Sequence, residues 1–133
     1  MLRAIARVPN VAKQLHMPAQ SGSDAVLGRM RRGYTGAAYR ALAARARAAV
    51  PGVALSSDFI AGFCGETDAD HAATVALIED VGYDMAFLFA YSSRDRTPAQ
   101  RRLADAAGRH LPALGEELAA GGLRRRAPWR GAS

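Results

Sequence analysis

Residues 53–81 read VALSSDFIAGFCGETDADHAATVALIEDV and contain a complete structural unit in one stretch. The opening run, 53–61, is a strand candidate that ends where glycine begins. GFCGET, 62–67, is a turn bracketed by Gly62 and Gly65. Thr67 then suits a helix N-cap, and Asp68 and Asp70 fall in the first turn, where the helix dipole favours negative charge. Val75, Leu77 and Ile78 supply much of an apolar stripe, so the spacing predicts a helix over 68–81. Strand, tight polar turn and helix together make one βα unit.

The same order recurs on either side. Upstream, 11–17 reads as a short strand, PAQSGS (18–23) as a loop, and 24–30 and 39–50 as helix. Alanines favour the second helical piece, Leu42, Ala46, Ala49 and Val50 give it an apolar face, and Pro51-Gly52 stops it. Downstream, MAFLFAY (85–91) is a continuous apolar run of the kind shown by a strand buried on both faces. The loop SSRDRTPA (92–99) and a weaker helix over 100–107 follow it. Three βα units in succession predict an α/β fold with a parallel sheet and right-handed crossovers, either barrel-like or doubly wound. In both cases the loops after the strands share one rim, where α/β folds place their ligands.

Composition narrows the chemistry. The chain has 133 residues, 18 Lys+Arg against 12 Asp+Glu, one cysteine and 50% apolar residues. One cysteine excludes an internal disulfide and any iron–sulfur cluster or structural zinc held by this chain's own thiolates. No run of about 18 apolar residues occurs, which excludes a membrane-spanning helix. Residues 1–93 hold nine basic and eight acidic groups, whereas 94–133 hold nine arginines and four acids. The basic character therefore belongs to the tail. Within it, 113–120 reads as a short helix, and the sequence after Gly121 is expected to be disordered. The first acid is Asp24, which superficially suits a mitochondrial presequence, but the segment is not Ser-rich and reads as a strand stopped by proline.

Each loop carries candidate ligand-binding groups, and each has a plainer reading. Gly62 and Gly65 permit close backbone approach and Glu66 can accept from hydroxyl or amino groups; equally, Glu66 can simply cap a helix after a tight turn. Gln20, Ser21 and Ser23 offer an amide and two hydroxyls suited to a sugar or carboxylate, though Ser-Gly-Ser is also an ordinary turn. Tyr91 can stack on a base or donate its hydroxyl, and Arg94 can hold a carboxylate or phosphate; the alternative is a solvated charge cluster. Cys64 reads as a small, semi-buried apolar residue. His16, at a strand end, reads as a packing or orienting residue.

Taken together, HMPAQSGSDAVLGRMRRGYT (16–35), PGVALSSDFIAGFCGET (51–67) and MAFLFAYSSRDRTPA (85–99) resemble the radical-SAM methylthiotransferases that modify tRNA. The similarity is greatest to those that convert isopentenyladenosine beside the anticodon to its 2-methylthio form, in the eukaryotic, organellar-type branch. The resemblance implies a partial TIM-type (β/α) barrel of six βα units, of which this chain holds about three. Residues 1–107 would form the second half of the radical-SAM core and 108–133 a divergent Arg-rich tail. It further implies S-adenosylmethionine as cofactor, with Gln20, Ser21 and Ser23 near its ribose or methionine portion. Asp58, Gly62 and Glu66 would lie beside the adenine, and Tyr91 and Arg94 near it. Family members also use a 4Fe-4S cluster held by a CxxxCxxC triplet, act on tRNA, and carry further domains.

The departures are as informative. The cluster cysteines are absent from this chain, and Asp95-Arg96-Thr97 replaces the family's usual glycine after the sixth-strand arginine. On this reading the chain is a fragment, inactive by itself, whose missing half-barrel is a separate chain or a lost part of the gene. An organellar, mitochondrial location follows only from the resemblance; otherwise the cytoplasm is expected. Two alternatives remain beside it. One is an RNA- or protein-binding module using Arg29, Arg31, Arg32 and the arginines at 124–126. The other is a truncated product whose open sheet edges leave it unstable.

Overall fold

A computed structural model describes residues 1–91. The expected loop 92–99, the helices at 100–107 and 113–120 and the Arg-rich tail, including Arg94, lie outside the described residues. Seven elements run in the order α1 (Leu2–Arg7), β1 (Gln14–His16), α2 (Asp24–Arg29), α3 (Gly36–Ala49), β2 (Ala54–Ala61), α4 (Asp68–Val81) and β3 (Met85–Ala90). The three strands form one parallel sheet in the order β1-β2-β3. The expected βα succession and parallel pairing are therefore both present.

Local chemistry explains the boundaries. The Thr35 hydroxyl accepts from the Ala38 amide and starts α3 at Gly36, three residues earlier than periodicity indicates. Thr67 caps α4 in a full capping box, its hydroxyl accepting from the Asp70 amide while the Asp70 carboxylate accepts from the Thr67 amide. Gly82, left-handed at φ 59°, ends that helix. β1 spans three residues rather than the expected seven. Pro18 has no amide to give, and Ala19 donates to the Ser57 hydroxyl instead (3.0 Å). Pairing with β2 resumes at Gln20, whose amide donates to the Asp58 carbonyl at 2.8 Å. The six-residue helix α1 is too short to leave a period in the sequence; Leu2 and Ile5 rest against the core.

The sheet has two different faces. On β2, Leu55, Ser57, Phe59 and Ala61 are all buried, and Leu55 and Phe59 pack in a cluster with Tyr39, Ala43 and Ala46 of α3 and Leu77, Ile78 and Val81 of α4. Ser56, Asp58 and Ile60 alternate onto the opposite face, where Asp58 and Ile60 are half-buried. The expectation that the run 85–91 is buried on both faces is corrected: Met85 and Phe89 are each 52% exposed and Phe87 45%. Among the described residues β3 is an edge strand whose sheet partner is β2, and the core centres on β2 rather than on it.

Candidate functional site

The loops after β1 and β2 meet at the C-terminal rim of the sheet. Gln20 enters the rim with a left-handed φ of 69°, rare for a residue with a side chain and costing about 1–3 kcal/mol. Its backbone is clamped on both sides, the Ile60 amide donating to the Gln20 carbonyl at 2.9 Å. Gly22 then passes so close to α4 that a Cβ would lie 2.2 Å from the Ala73 carbonyl oxygen. Its amide donates to the Thr74 hydroxyl (3.0 Å), which also pairs with the Ser21 hydroxyl (3.2 Å). Ser23 accepts from the Val26 amide as the cap of α2 and donates to Asp70 Oδ1 at 2.5 Å.

The 62–67 turn is built around a buried carboxylate. Glu66, 6% exposed, accepts the Gly62 amide (2.6 Å) and the Phe63 amide (3.1 Å) on the same oxygen, Oε2. The positive φ of Gly62 (75°) and Gly65 (76°) lets the chain curl back over it. Cys64 is 2% exposed, packed as the small apolar residue expected.

Asp70 joins the two loops. Its carboxylate accepts from Ser23 of the first loop, from the Thr67 amide and hydroxyl of the second, and from Arg29 of α2 at 3.4 Å. Arg29 also donates to the Gly65 carbonyl at 3.0 Å. Burial by itself pushes the Asp70 carboxyl up, but the hydrogen bonds from Ser23, Thr67 and Arg29 outweigh it and hold the group below its ordinary range. The Thr67 cap and the place of Asp70 in the first turn were legible in the sequence. The bonds to Ser23 and Arg29, more than 40 positions away, carry no sequence signal.

The open face of the sheet carries a second polar group. His16 Nδ1 lies 2.9 Å from the Ser56 hydroxyl and Nε2 lies 3.1 Å from Asp58 Oδ2. Its ring meets Phe87 edge-on at 6.3 Å. The orienting role read for His16 thus has a partner, Asp58. At the rim Tyr91 packs against Phe63, ring centroids 4.8 Å apart.

Of the candidate residues, Ser21, Ser23 and Glu66 spend their polar atoms inside the rim, while Gln20, Asp58, Gly62 and Tyr91 border it. Arg94 lies outside the described residues. Arg29, read as an RNA-facing cation, is engaged with Asp70 and Gly65; Arg31 and Arg32 are exposed. Among the described residues no group of three or more His, Cys, Asp or Glu could hold a metal ion, and no helix is long and apolar enough to cross a membrane.

No protein-family model matches the chain. Individual proteins do. A CDK5RAP1-like protein of Oryza sativa subsp. japonica is 60% identical over 96 residues, 72% of this chain and 16% of that protein. The mitochondrial tRNA methylthiotransferase CDK5RAP1 of Homo sapiens is 56% identical over 105 residues, 79% of this chain and 18% of its own length. A tRNA-2-methylthio-N(6)-dimethylallyladenosine synthase of Chlorobium chlorochromatii is 50% identical over 105 residues, 79% of this chain and 23% of its own. The chain thus spans less than a quarter of the length of the curated relatives it matches. Over those residues, agreement at this level with both an animal and a bacterial enzyme places the chain in the tRNA methylthiotransferase family.

Proposed function

We propose that the chain is the second half of a radical-SAM (β/α) barrel core, belonging to a methylthiotransferase that acts on dimethylallyladenosine, also called isopentenyladenosine, beside the anticodon of tRNA. The observation that carries this reading is the joining of the 18–23 and 62–67 loops on one rim through Asp70. Both loops belong to the motifs on which the resemblance rests. Sequential parallel order of β1, β2 and β3 is the order a barrel requires.

The rim suits S-adenosylmethionine in the chemistry of its free groups. Gln20 offers an amide and Asp58 one carboxylate oxygen, neither hydrogen-bonded among the described residues, for hydroxyl and amino groups of the ligand. Gly62 and Gly65 allow its approach to backbone, and the Phe63–Tyr91 pair offers an aromatic surface. Ser21, Ser23 and Glu66 act one layer further in: they fix the loop that Gln20 projects from and the turn that follows the strand carrying Asp58. When bound, S-adenosylmethionine supplies a sulfonium centre open to reductive cleavage. A 4Fe-4S cluster does not fit these residues, since the chain has one cysteine and it is buried inside the turn. The reductive step therefore needs cluster ligands other than these residues.

Because one relative is a mitochondrial enzyme, we assign the chain an organellar location. Titrating S-adenosylmethionine into the full chain, followed by amide NMR shifts, tests the reading. Weak saturable binding with shifts at Gln20, Asp58 and Tyr91 is expected, and shifts confined to the opposite, helix-covered side would refute it.

A further inference from the structure

Between β1 and α3 the chain makes a closed excursion along the rim. Ser23 caps α2 at the start of it, and the Gly36 amide donates to Asp24 Oδ1 at 2.7 Å, so α3 begins beside the point where α2 began. In between, the excursion is tied to both rim loops. Arg29 donates to the Gly65 carbonyl (3.0 Å), and the Tyr34 hydroxyl donates to the Ala19 carbonyl (3.0 Å). Residues 30–33 therefore stand on the rim, held there from either side.

Arg31, within that span, has a left-handed backbone with φ 57°. The Arg31 amide donates to the Gly28 carbonyl (3.0 Å) and the Arg32 amide to the Leu27 carbonyl (2.9 Å), the paired bonds of a Schellman turn at the end of α2. Arginine thus occupies the position where that turn ordinarily has glycine, the residue that adopts a positive φ without strain. Strain imposed by surrounding bonds points to a side chain kept for a contact. Charge indicates which contact. Residues 24–36 hold three arginines and one aspartate. Arg29 pairs with Asp70, and Asp24 accepts the Gly36 amide. Arg31 and Arg32 are exposed and belong to no ion pair among the described residues. The excursion therefore presents unbalanced positive charge beside the rim, and a guanidinium matches the geometry of a phosphate.

We propose that Arg31 binds a backbone phosphate of the RNA beside the base that enters the rim, and so holds the strand over the cofactor site. The assignment rests on the methylthiotransferase reading, which brings an RNA base to this rim with phosphates on either side of it, and adds to that reading a protein–RNA contact on the 24–36 excursion. A phosphate contact carries no base information, so Arg31 sets affinity and salt dependence rather than sequence preference.

The test uses the full 133-residue chain and an anticodon stem-loop RNA, with affinity read by fluorescence anisotropy over a series of salt concentrations. Arg31→Gly weakens binding about fivefold at about 0.1 M salt and lowers the steepness of log affinity against log salt by about one. Its urea midpoint stays level or rises, because glycine accepts the positive φ. Arg31→Lys keeps the charge and stays within about twofold of the wild type. The arginines at 124–126 are common to all three chains, so the differences report residue 31. Unchanged affinity or salt dependence in Arg31→Gly overturns the assignment and leaves the family reading standing. A lowered urea midpoint in Arg31→Gly also overturns it, since the arginine would then serve the fold. So does an equal loss of affinity for a poly-glutamate peptide, which would make the partner an acidic protein. Failure of the wild type to bind the RNA overturns both.

Discussion

Replacing Glu66 tests whether the 62–67 turn is held from within. The carboxylate is 6% exposed and accepts two backbone amides on one oxygen, at 2.6 and 3.1 Å. Glu66→Ala leaves the Gly62 and Phe63 N–H groups buried without an acceptor. Each hydrogen bond to a charged group is worth about 1.5–3 kcal/mol, so the loss of two is about 3–6 kcal/mol. Against a typical domain stability of about 5–15 kcal/mol, that brings the fold close to its limit. Glu66→Gln behaves differently. Because both amides share Oε2, the glutamine carbonyl oxygen can take its place and only the charge is lost, for about 1–2 kcal/mol. Urea denaturation followed by far-UV circular dichroism measures both variants, with midpoint shifts at constant m-value read as stability. Equal destabilisation by alanine and glutamine, or an alanine cost below about 1 kcal/mol, would refute the reasoning, because the two shared hydrogen bonds would not then be what holds the turn.

Three further outcomes follow from the geometry. Asp70 has a folded-state pKa below its unfolded value, so its contribution is complete above the unfolded pKa and disappears as pH falls through the folded one. Wild-type stability should accordingly decline at acid pH, and Asp70→Asn should flatten that decline while costing about 1–2 kcal/mol at neutral pH through the lost cap. Gly22→Ala sets a methyl group against the Ala73 carbonyl and Thr74 Cα, both backbone, and should lower stability by at least about 1–3 kcal/mol in thermal unfolding. Phe87→Ser removes an exposed apolar side chain from an edge strand; the unfolding midpoint should hardly move while light scattering at high concentration falls.

The helix α4 was readable almost residue for residue, since its cap, acidic first turn and apolar stripe are all local chemistry. β2 was readable to within one residue for the same reason. The run 85–91 misled, because an apolar run records what a strand can bury, and whether it does so depends on what packs over it. Glu66 shows the same division within the site. Its residue type offered two roles, ligand contact or turn support, and its bonds to Gly62 and Phe63 supply the second. His16 and Asp58 are 42 positions apart and meet only because β1 and β2 pair in parallel register.

By itself, then, the sequence determined the βα succession, the caps and turns, the family membership carried by the loop motifs, and the lack of thiolates for a cluster. All of these depend on residue type and short spacing, which a linear string records in full. The tertiary structure decided which polar groups are consumed and which are left over. Asp70 locks two loops, Ser21 and Glu66 turn inward, and Asp58 keeps one oxygen without a hydrogen bond among the described residues, beside the exposed Phe87 and Phe89. A side chain's partners are set by strand register and helix packing across tens of residues, and that information exists only once the chain has folded.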